Sequence, residues 1–224
     1  MVDDGTVDDG GPTDFGPLND QAGRQQLVRA LLELLQPEAI VETGTYLGRT
    51  TRWLAEATSA PVYTVEADPD LWHRDPSALA ELPQVHAELG DSRQLLRRWA
   101  LDPDVPHGRC LFYLDAHWAE DLPLAEEVAI VLEAWSDPVL LIDDVEVPDD
   151  PGYGYDDYGP GRALCLDYLA EVAGGATVAL FPTLPGEQES GWRRGLVVLA
   201  RPTTAALLEA SLDLRARPWP GDGA

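Results

Sequence analysis

The chain has 224 residues, 45% of them hydrophobic, which suits one domain with a full core. Its formal net charge of −25 argues against nucleic-acid partners and anionic membrane surfaces, because both are bound by basic faces. All 15 basic residues are arginine, which excludes pyridoxal-phosphate enzymes, Walker P-loop proteins and protein kinases, since each needs a lysine.

The N-terminal residues 1–19 are rich in Asp, Gly, Pro and Thr, which predicts a flexible acidic arm ahead of a single domain at 20–224. They lack the basic and apolar runs of a signal peptide. Asp20 is a candidate N-cap for the first helix. Cys110 and Cys165 lie beside apolar residues, as free thiols in a reducing compartment do. We therefore expect a cytoplasmic protein without a membrane span; association into a homo-oligomer stays open.

Short apolar runs then alternate with amphipathic helical stretches. The predicted strands are Ala39–Glu42, Val62–Glu66, Val85–Leu89, Cys110–Asp115, Val139–Asp143, Thr177–Phe181 and Gly195–Ala200, and the helices lie at about 49–59, 69–81, 92–100, 120–135 and 161–173. This alternation predicts an α/β fold with a Rossmann-like, doubly wound, mostly parallel sheet and helices on both faces. The loop at 146–160, rich in Pro, Gly, Asp and Tyr, is either a lid or a rigid turn cluster.

A glycine turn follows the first strand. Glu42 and Thr43 end the strand, and Gly44, Tyr46 and Gly48 lead into the next helix. The glycines would let the backbone approach a ligand, and the acid could attract a cation. The nicotinamide fingerprint G-x-G-x-x-G is not met. The structural alternative is a generic pair of turn glycines.

Acidic residues also end the second and third strands. Glu66, 22 residues after Gly44, can accept both hydroxyls of a ribose. Asp91, just before Ser92, either accepts a hydrogen bond from an adenine amino group or caps the following helix. The alternative for Glu66 is a solvated acid at a strand end.

Three further acids follow the fourth and fifth strands. Asp115 ends the fourth, and Asp143 and Asp144 end the fifth. If these strands are neighbours the carboxylates meet, and no basic residue lies in 138–161 to neutralise them. A divalent cation with oxygen ligands, Mg²⁺, Mn²⁺ or Ca²⁺, is the simplest compensation; ordinary caps and solvated acids are the alternative. His117 is a candidate general base or a fourth ligand.

Over about 38–145 these motifs resemble, in their order, those of the class I S-adenosylmethionine-dependent methyltransferases. The last three acids resemble those of the metal-dependent macrocin-type O-methyltransferases, which act on sugar hydroxyls in antibiotic biosynthesis. The resemblance implies a seven-stranded sheet whose last strand is antiparallel. It implies that S-adenosylmethionine is held by Glu42, Thr43, Gly44, Tyr46, Gly48, Glu66, Asp91, Ser92 and Asp115, that Mg²⁺ or Mn²⁺ is held by Asp115, Asp143 and Asp144, and that His117 acts as base beside Asp115.

The expected activity is methyl transfer to a hydroxyl of a small metabolite, a sugar or natural product. Two other interpretations stay open. One is a non-catalytic module that binds the cofactor. The other is an NAD(P)-dependent oxidoreductase, against which the broken glycine fingerprint argues.

Overall fold

The computed structural model describes residues 15–72, 79, 81–117 and 121–221. The strands are β1 Ala39–Thr43, β2 Val62–Glu66, β3 Val85–Leu89, β4 Cys110–Leu114, β5 Val139–Asp143, β6 Val178–Pro182, β7 Leu196–Ala200 and β8 Leu214–Arg217. They form one sheet in the order β3-β2-β1-β4-β5-β7-β6-β8. Strands β1 to β5 pair in parallel, whereas β7 runs antiparallel between β5 and β6. The predicted Rossmann-like, mostly parallel sheet is confirmed.

The predicted number of strands was wrong. The resemblance implied seven strands, and the described part of the chain forms eight. The additional strand, β8, pairs antiparallel with β6 at the edge of the sheet. Its sequence Leu-Arg-Ala-Arg is short and charged, as edge strands commonly are, so it lacks the apolar run that marks the other strands.

Helices cover both faces of the sheet. Their bounds are α1 Ala22–Leu35, α2 Arg49–Ala57, α3 Pro69–Trp72, α4 Ser92–Trp99, α5 Leu124–Ala134, α6 Leu166–Ala173 and α7 Pro202–Ser211. Leu31 and Leu208 belong to the core on one face, and Leu96 and Val128 to the core on the other. The helix predicted at 69–81 falls partly outside the described residues. Within the described ranges no helix has both the length and the apolar character needed to cross a bilayer.

The first helix is capped by a distant residue. Its N-cap position is Gln21, so the prediction of Asp20 as cap was wrong. The Asp20 carboxylate instead accepts from the backbone N–H of Gly16, at 2.8 Å. Glu189 supplies the cap, accepting from the N–H of Gly23 at 2.9 Å. Sequence spacing cannot reveal a cap that arrives from another part of the chain.

The described part of the predicted acidic arm packs against the sheet domain. Residues 1–14 lie outside the described residues. Leu18 is buried, and its backbone N–H donates to the Thr50 hydroxyl at 3.1 Å. The Phe15 ring stacks on Trp192 with 5.1 Å between centroids. These contacts place residues 15–19 at the carboxyl edge of the sheet.

Candidate active site

The glycine turn after β1 lies between the ends of β2 and β4. The backbone N–H groups of Gly44 and Thr45 both donate to the carbonyl of Val65, at 3.0 and 3.1 Å. Gly44 has a φ of +84°, and a Cβ added there would lie 2.6 Å from the carbonyl oxygen of Asp115. Both the left-handed backbone and this close approach require glycine.

Glu42 is held beneath the turn. Its carboxylate accepts hydrogen bonds from the hydroxyls of Thr51 and Thr64, the latter at 2.6 Å. Burial raises the pKa of Glu42 to about 7, although the two hydroxyls favour the ionised form. Glu42 therefore supports the turn from below.

Two cavities adjoin at this edge of the sheet and share Gly44 and Glu66. The larger, about 330 Å³, has Asp115, His117 and Asp144 in its lining. The smaller, about 190 Å³, extends toward the end of β3 and is lined by Gly44, Glu66, Asp91, Ser92 and Arg93, among others. Tyr46 lies on the larger cavity, while Gly48 (φ +70°) is the N-cap of α2. The two cavities together form one cleft at the carboxyl ends of the strands, where ligands bind in open α/β sheets.

Glu66 stands where the two cavities meet. One carboxylate oxygen accepts from the backbone N–H of Tyr46 at 2.7 Å, and the other from that of Asp68 at 2.8 Å. These bonds fix the carboxylate and leave further lone pairs for hydroxyl donors. The geometry suits recognition of a diol such as a ribose.

Asp91 caps α4, as one of its two predicted roles required. Its Oδ1 accepts from the backbone N–H of Arg93 at 2.9 Å, and its carboxylate also pairs with the Arg93 guanidinium at 2.6 Å. Hydrogen bonding from Arg93 lowers the pKa of Asp91. Ser92, buried beside it, completes this end of the smaller cavity.

An acidic cluster with a histidine lies in the larger cavity. Ligand atoms of Asp115, His117 and Asp144 all fall within 4.8 Å of one another. Both ring nitrogens of His117 are buried and have no hydrogen-bond partner among the described residues, which do not include 118–120. Burial lowers the pKa of His117, but the carboxylates of Asp144 and Asp156 outweigh it, so the pKa lies above 6.5. Burial, with Asp143 and Asp144 nearby, raises the pKa of Asp115 well above its ordinary value.

Asp143 has a different environment from its neighbour. Arg24 donates to its Oδ1 at 2.5 Å, and the hydroxyl of Tyr113 and the amide of Asn19 donate to its Oδ2. Strands β4 and β5 are neighbours, so the acids at their ends lie close together, as expected. The Asp143 carboxylate, however, is paired with Arg24. Asp115, His117 and Asp144 form the cluster instead.

Sequence reasoning missed the counter-charges. No arginine lies in 138–161, yet Arg24 reaches Asp143 from α1, and Arg194 Nε donates to Asp144 Oδ1 at 2.5 Å. Arg24 precedes Leu27 by three residues and so falls on the apolar face of its helix, a signal that could have marked it. Nothing in the local pattern marks Arg194.

Glu127 was missed as well. It lies on the buried face of α5, and the Thr43 hydroxyl donates to its Oε2 at 3.4 Å, while no described residue hydrogen-bonds to Oε1. Burial raises the pKa of Glu127 to about 7. Its spacing of four residues from Val131 on an apolar face is the sequence signal for it.

At the sequence level no protein-family model matches the chain, and no curated protein matches it. Several solved structures, however, match the fold of this chain. An O-methyltransferase from Bacillus cereus in complex with S-adenosylhomocysteine superposes with a TM-score of 0.59 at 18% identity, covering 80% of this chain and 81% of that one. TomG from Streptomyces achromogenes, an O-methyltransferase involved in tomaymycin synthesis and solved with S-adenosylmethionine, gives 0.58 at 22% identity and 80% of both chains.

The chain has the class I methyltransferase fold. An rRNA methylase from Streptococcus thermophilus shares it, with a TM-score of 0.52 at 15% identity over 80% of this chain and 96% of that one. The resemblance inferred from the strand-end motifs therefore agrees with the three-dimensional architecture.

Proposed function

We propose that this protein is an S-adenosylmethionine-dependent O-methyltransferase acting on a small hydroxylated metabolite, a sugar or another natural product. The observation that carries the proposal is the pair of adjoining cavities that share Gly44 and Glu66. One cavity ends at Asp91 and the other at the cluster around His117. A cofactor with a nucleoside at one end and a reactive group at the other fits such a cleft.

In this proposal the nucleoside lies in the smaller cavity. Glu66 accepts the ribose hydroxyls, and Asp91 and Ser92 border the adenine. The backbone at Gly44 approaches the cofactor closely because no side chain intervenes. The positively charged sulfonium then lies near the acids of the larger cavity, which favour a cation.

The acids also suit a metal ion, Mg²⁺ or Mn²⁺. Asp115 and Asp144 would hold it, and the buried nitrogens of His117, which have no hydrogen-bond partner among the described residues, favour a further ligand in the cluster. A bound divalent ion would lower the pKa of an acceptor hydroxyl. Asp143, which accepts from the backbone N–H of Asp144 at 2.8 Å, supports this ligand from behind.

His117 is the proposed general base. It takes the proton of the acceptor hydroxyl, and the carboxylates of Asp144 and Asp156, 3.6 and 3.7 Å from Nε2, stabilise the resulting imidazolium. The oxygen then attacks the methyl group, the carbon–sulfur bond breaks, and S-adenosylhomocysteine leaves. The Tyr158 ring packs edge-on beside the imidazole with 6.3 Å between ring centroids, which limits access of water.

The acceptor is proposed to be a metabolite because charge disfavours RNA. The rRNA methylase shares the fold, but a chain with a net charge of −25 and no lysine lacks the basic face that binds phosphates. The tomaymycin enzyme supports a natural-product acceptor. The free thiols Cys110 and Cys165 support a cytoplasmic location.

The test is transfer of a labelled methyl group from S-adenosylmethionine to a panel of hydroxylated metabolites and structured RNA. We expect methylation of a metabolite hydroxyl, and a loss in kcat of about 100-fold or more in His117→Ala, as for removal of a general base. His86→Ala, a histidine stacked on Tyr63 away from the cleft, is the matched control and keeps its activity. Methylation of RNA alone, or full activity of His117→Ala, would contradict the proposal.

A further inference from the structure

Arg194 stands between two carboxylates of the candidate active site. Its Nε donates to Asp144 Oδ1 at 2.5 Å, and its Nη2 donates to Asp156 Oδ1. Each carboxylate gives one oxygen to the guanidinium and keeps the other, Oδ2, at 3.6 and 3.7 Å from His117 Nε2. Because the guanidinium is planar and its donors are fixed in a fork, it orients both carboxylates at once.

Backbone hydrogen bonds also hold the loop that carries Asp156. The backbone N–H of Asp156 donates to the carbonyl of Asp144 at 3.0 Å, and that of Gly154 to the carbonyl of Arg193 at 2.8 Å. The hydroxyl of Tyr158 donates to the remaining oxygen of Asp156. The loop, part of the predicted lid at 146–160, is therefore held near the imidazole by these bonds and by the bond from the guanidinium to Asp156.

The segment around residue 15 meets the same arginine. The guanidinium carbon lies 4.8 Å from the ring centroid of Trp192, and Phe15 stacks on that ring with planes 10° apart. The side-chain amide of Gln21 accepts from the backbone N–H of Arg194 at 3.2 Å and donates to its carbonyl at 3.1 Å. Three separate stretches of chain thus meet at one buried arginine.

We propose that Arg194 is the positioning residue of this site: one guanidinium fastens the 153–158 loop over His117 and aims the Oδ2 atoms of Asp144 and Asp156 at its ring. The inference rests on the proposed methyl transfer, because it assigns Arg194 a part in setting up the base. Arg194 acts through the two carboxylates rather than on the reacting atoms.

The first test needs no activity. Hydrogen exchange of the full-length protein, read by mass spectrometry over 153–164, compares Arg194→Gln and Asp156→Asn with Arg193→Gln. Arg193 is the matched control because it is exposed and its Nε donates to the carbonyl of Glu189 instead. We expect exchange to accelerate about tenfold or more in the first two variants and to stay unchanged in the control. Equal exchange in all three would overturn the proposal.

The second test separates positioning from folding. In Arg194→Gln and Asp156→Asn we expect kcat for methyl transfer to fall about 100-fold, since misplacing a catalytic group costs that much, while the Kd of S-adenosylmethionine stays within about twofold. Arg194→Lys, which keeps the charge but loses the fork, restores the fold without restoring kcat. Unchanged kcat, or equal losses of kcat and cofactor affinity, would overturn the proposal. If the wild type methylates no acceptor, the proposed function fails, and the exchange measurement still decides whether Arg194 holds the loop.

Discussion

Glu42 and Glu127 are fully buried carboxyl groups, and burial raises the pKa of each to about 7. A folded-state pKa above the unfolded value means that the folded protein binds the proton more tightly. Their contribution to stability is therefore fully present below the ordinary pKa of 4.5 and is lost as the pH rises through about 7. Above that pH each group is a buried charge that opposes folding.

Replacing Glu42 by glutamine should stabilise the cofactor-free protein at pH 8 but not at pH 4. The amide keeps an oxygen that accepts from Thr51 and Thr64 and removes the cost of ionisation. Since one pKa unit corresponds to about 1.4 kcal/mol, we expect a gain of roughly 2 to 3 kcal/mol in the free energy of unfolding at pH 8. Urea unfolding at both pH values measures it. Glu33→Gln, an exposed control on α1, should change little; a loss of stability at pH 8 in Glu42→Gln would contradict the assignment.

Gly44 is a second residue at which the structure dictates identity. Gly44→Ala would force a Cβ to 2.6 Å from the Asp115 carbonyl in a left-handed conformation. We expect a loss of about 2 kcal/mol or more in the free energy of unfolding, together with loss of cofactor binding. Thermal denaturation checks the first and calorimetry the second. Gly175→Ala, where apart from its chain neighbours no described residue lies within 4 Å of the added Cβ, should be nearly neutral. A stable Gly44→Ala variant with normal cofactor binding would contradict both the left-handed conformation of Gly44 and its close approach to the Asp115 carbonyl.

At the scale of elements, α1 is tied to the end of β5 by a buried ion pair. Arg24 and Asp143 have side chains only 2% and 1% exposed, and Arg24 also donates to the carbonyl of Arg194 at 2.5 Å. The pair thus joins the first helix to the strand that ends in the acid cluster. Removing one partner would leave a buried charge without compensation.

Arg24→Leu should therefore destabilise the protein by about 3 to 5 kcal/mol, as expected when one member of a buried pair is removed. Arg97→Leu breaks the exposed pair with Glu126 and should cost less than about 1 kcal/mol. Chemical denaturation of both variants makes the comparison. Similar small losses in both would mean that the Arg24–Asp143 contact does not bear on stability.

The elements show how far the sequence could be interpreted. Strands β1 to β5 and the acids at their ends were predictable, because buried parallel strands are short apolar runs and their carboxyl ends share one edge. The partners of those acids were not, since Arg24 and Arg194 lie 119 and 50 residues from the carboxylates that they bind. The carboxylates are therefore neutralised in part by arginines that are distant in sequence, which residues 138–161 alone could not reveal. The observation that favours the proposed metal is instead the burial of His117, whose ring nitrogens have no hydrogen-bond partner within the described part of the chain.

For the whole molecule, the position of the charged side chains decides which ligands the cleft attracts more than the net charge does. The chain has 40 acidic and 15 basic residues, so the surface potential is strongly negative. At the cleft, however, Arg24, Arg93 and Arg194 turn inward and orient carboxylates rather than forming a basic face. The fold itself was predictable from the alternation of strands and helices, whereas this internal pairing of charges depends on the complete tertiary structure. A field of this sign attracts a sulfonium cofactor and repels polyanions.

The most direct measurement is calorimetric titration of the purified protein with S-adenosylhomocysteine and, separately, with NAD⁺. The account predicts saturable binding of one S-adenosylhomocysteine per chain and none of NAD⁺. It also predicts an affinity about tenfold or more weaker in Glu66→Gln, because hydrogen bonds to a charged group are lost. Glu88→Gln, a half-buried acid of β3 paired with Arg98, is the control and should bind as the wild type does. Binding of NAD⁺ in place of S-adenosylhomocysteine, or equal affinity in Glu66→Gln, would contradict the account.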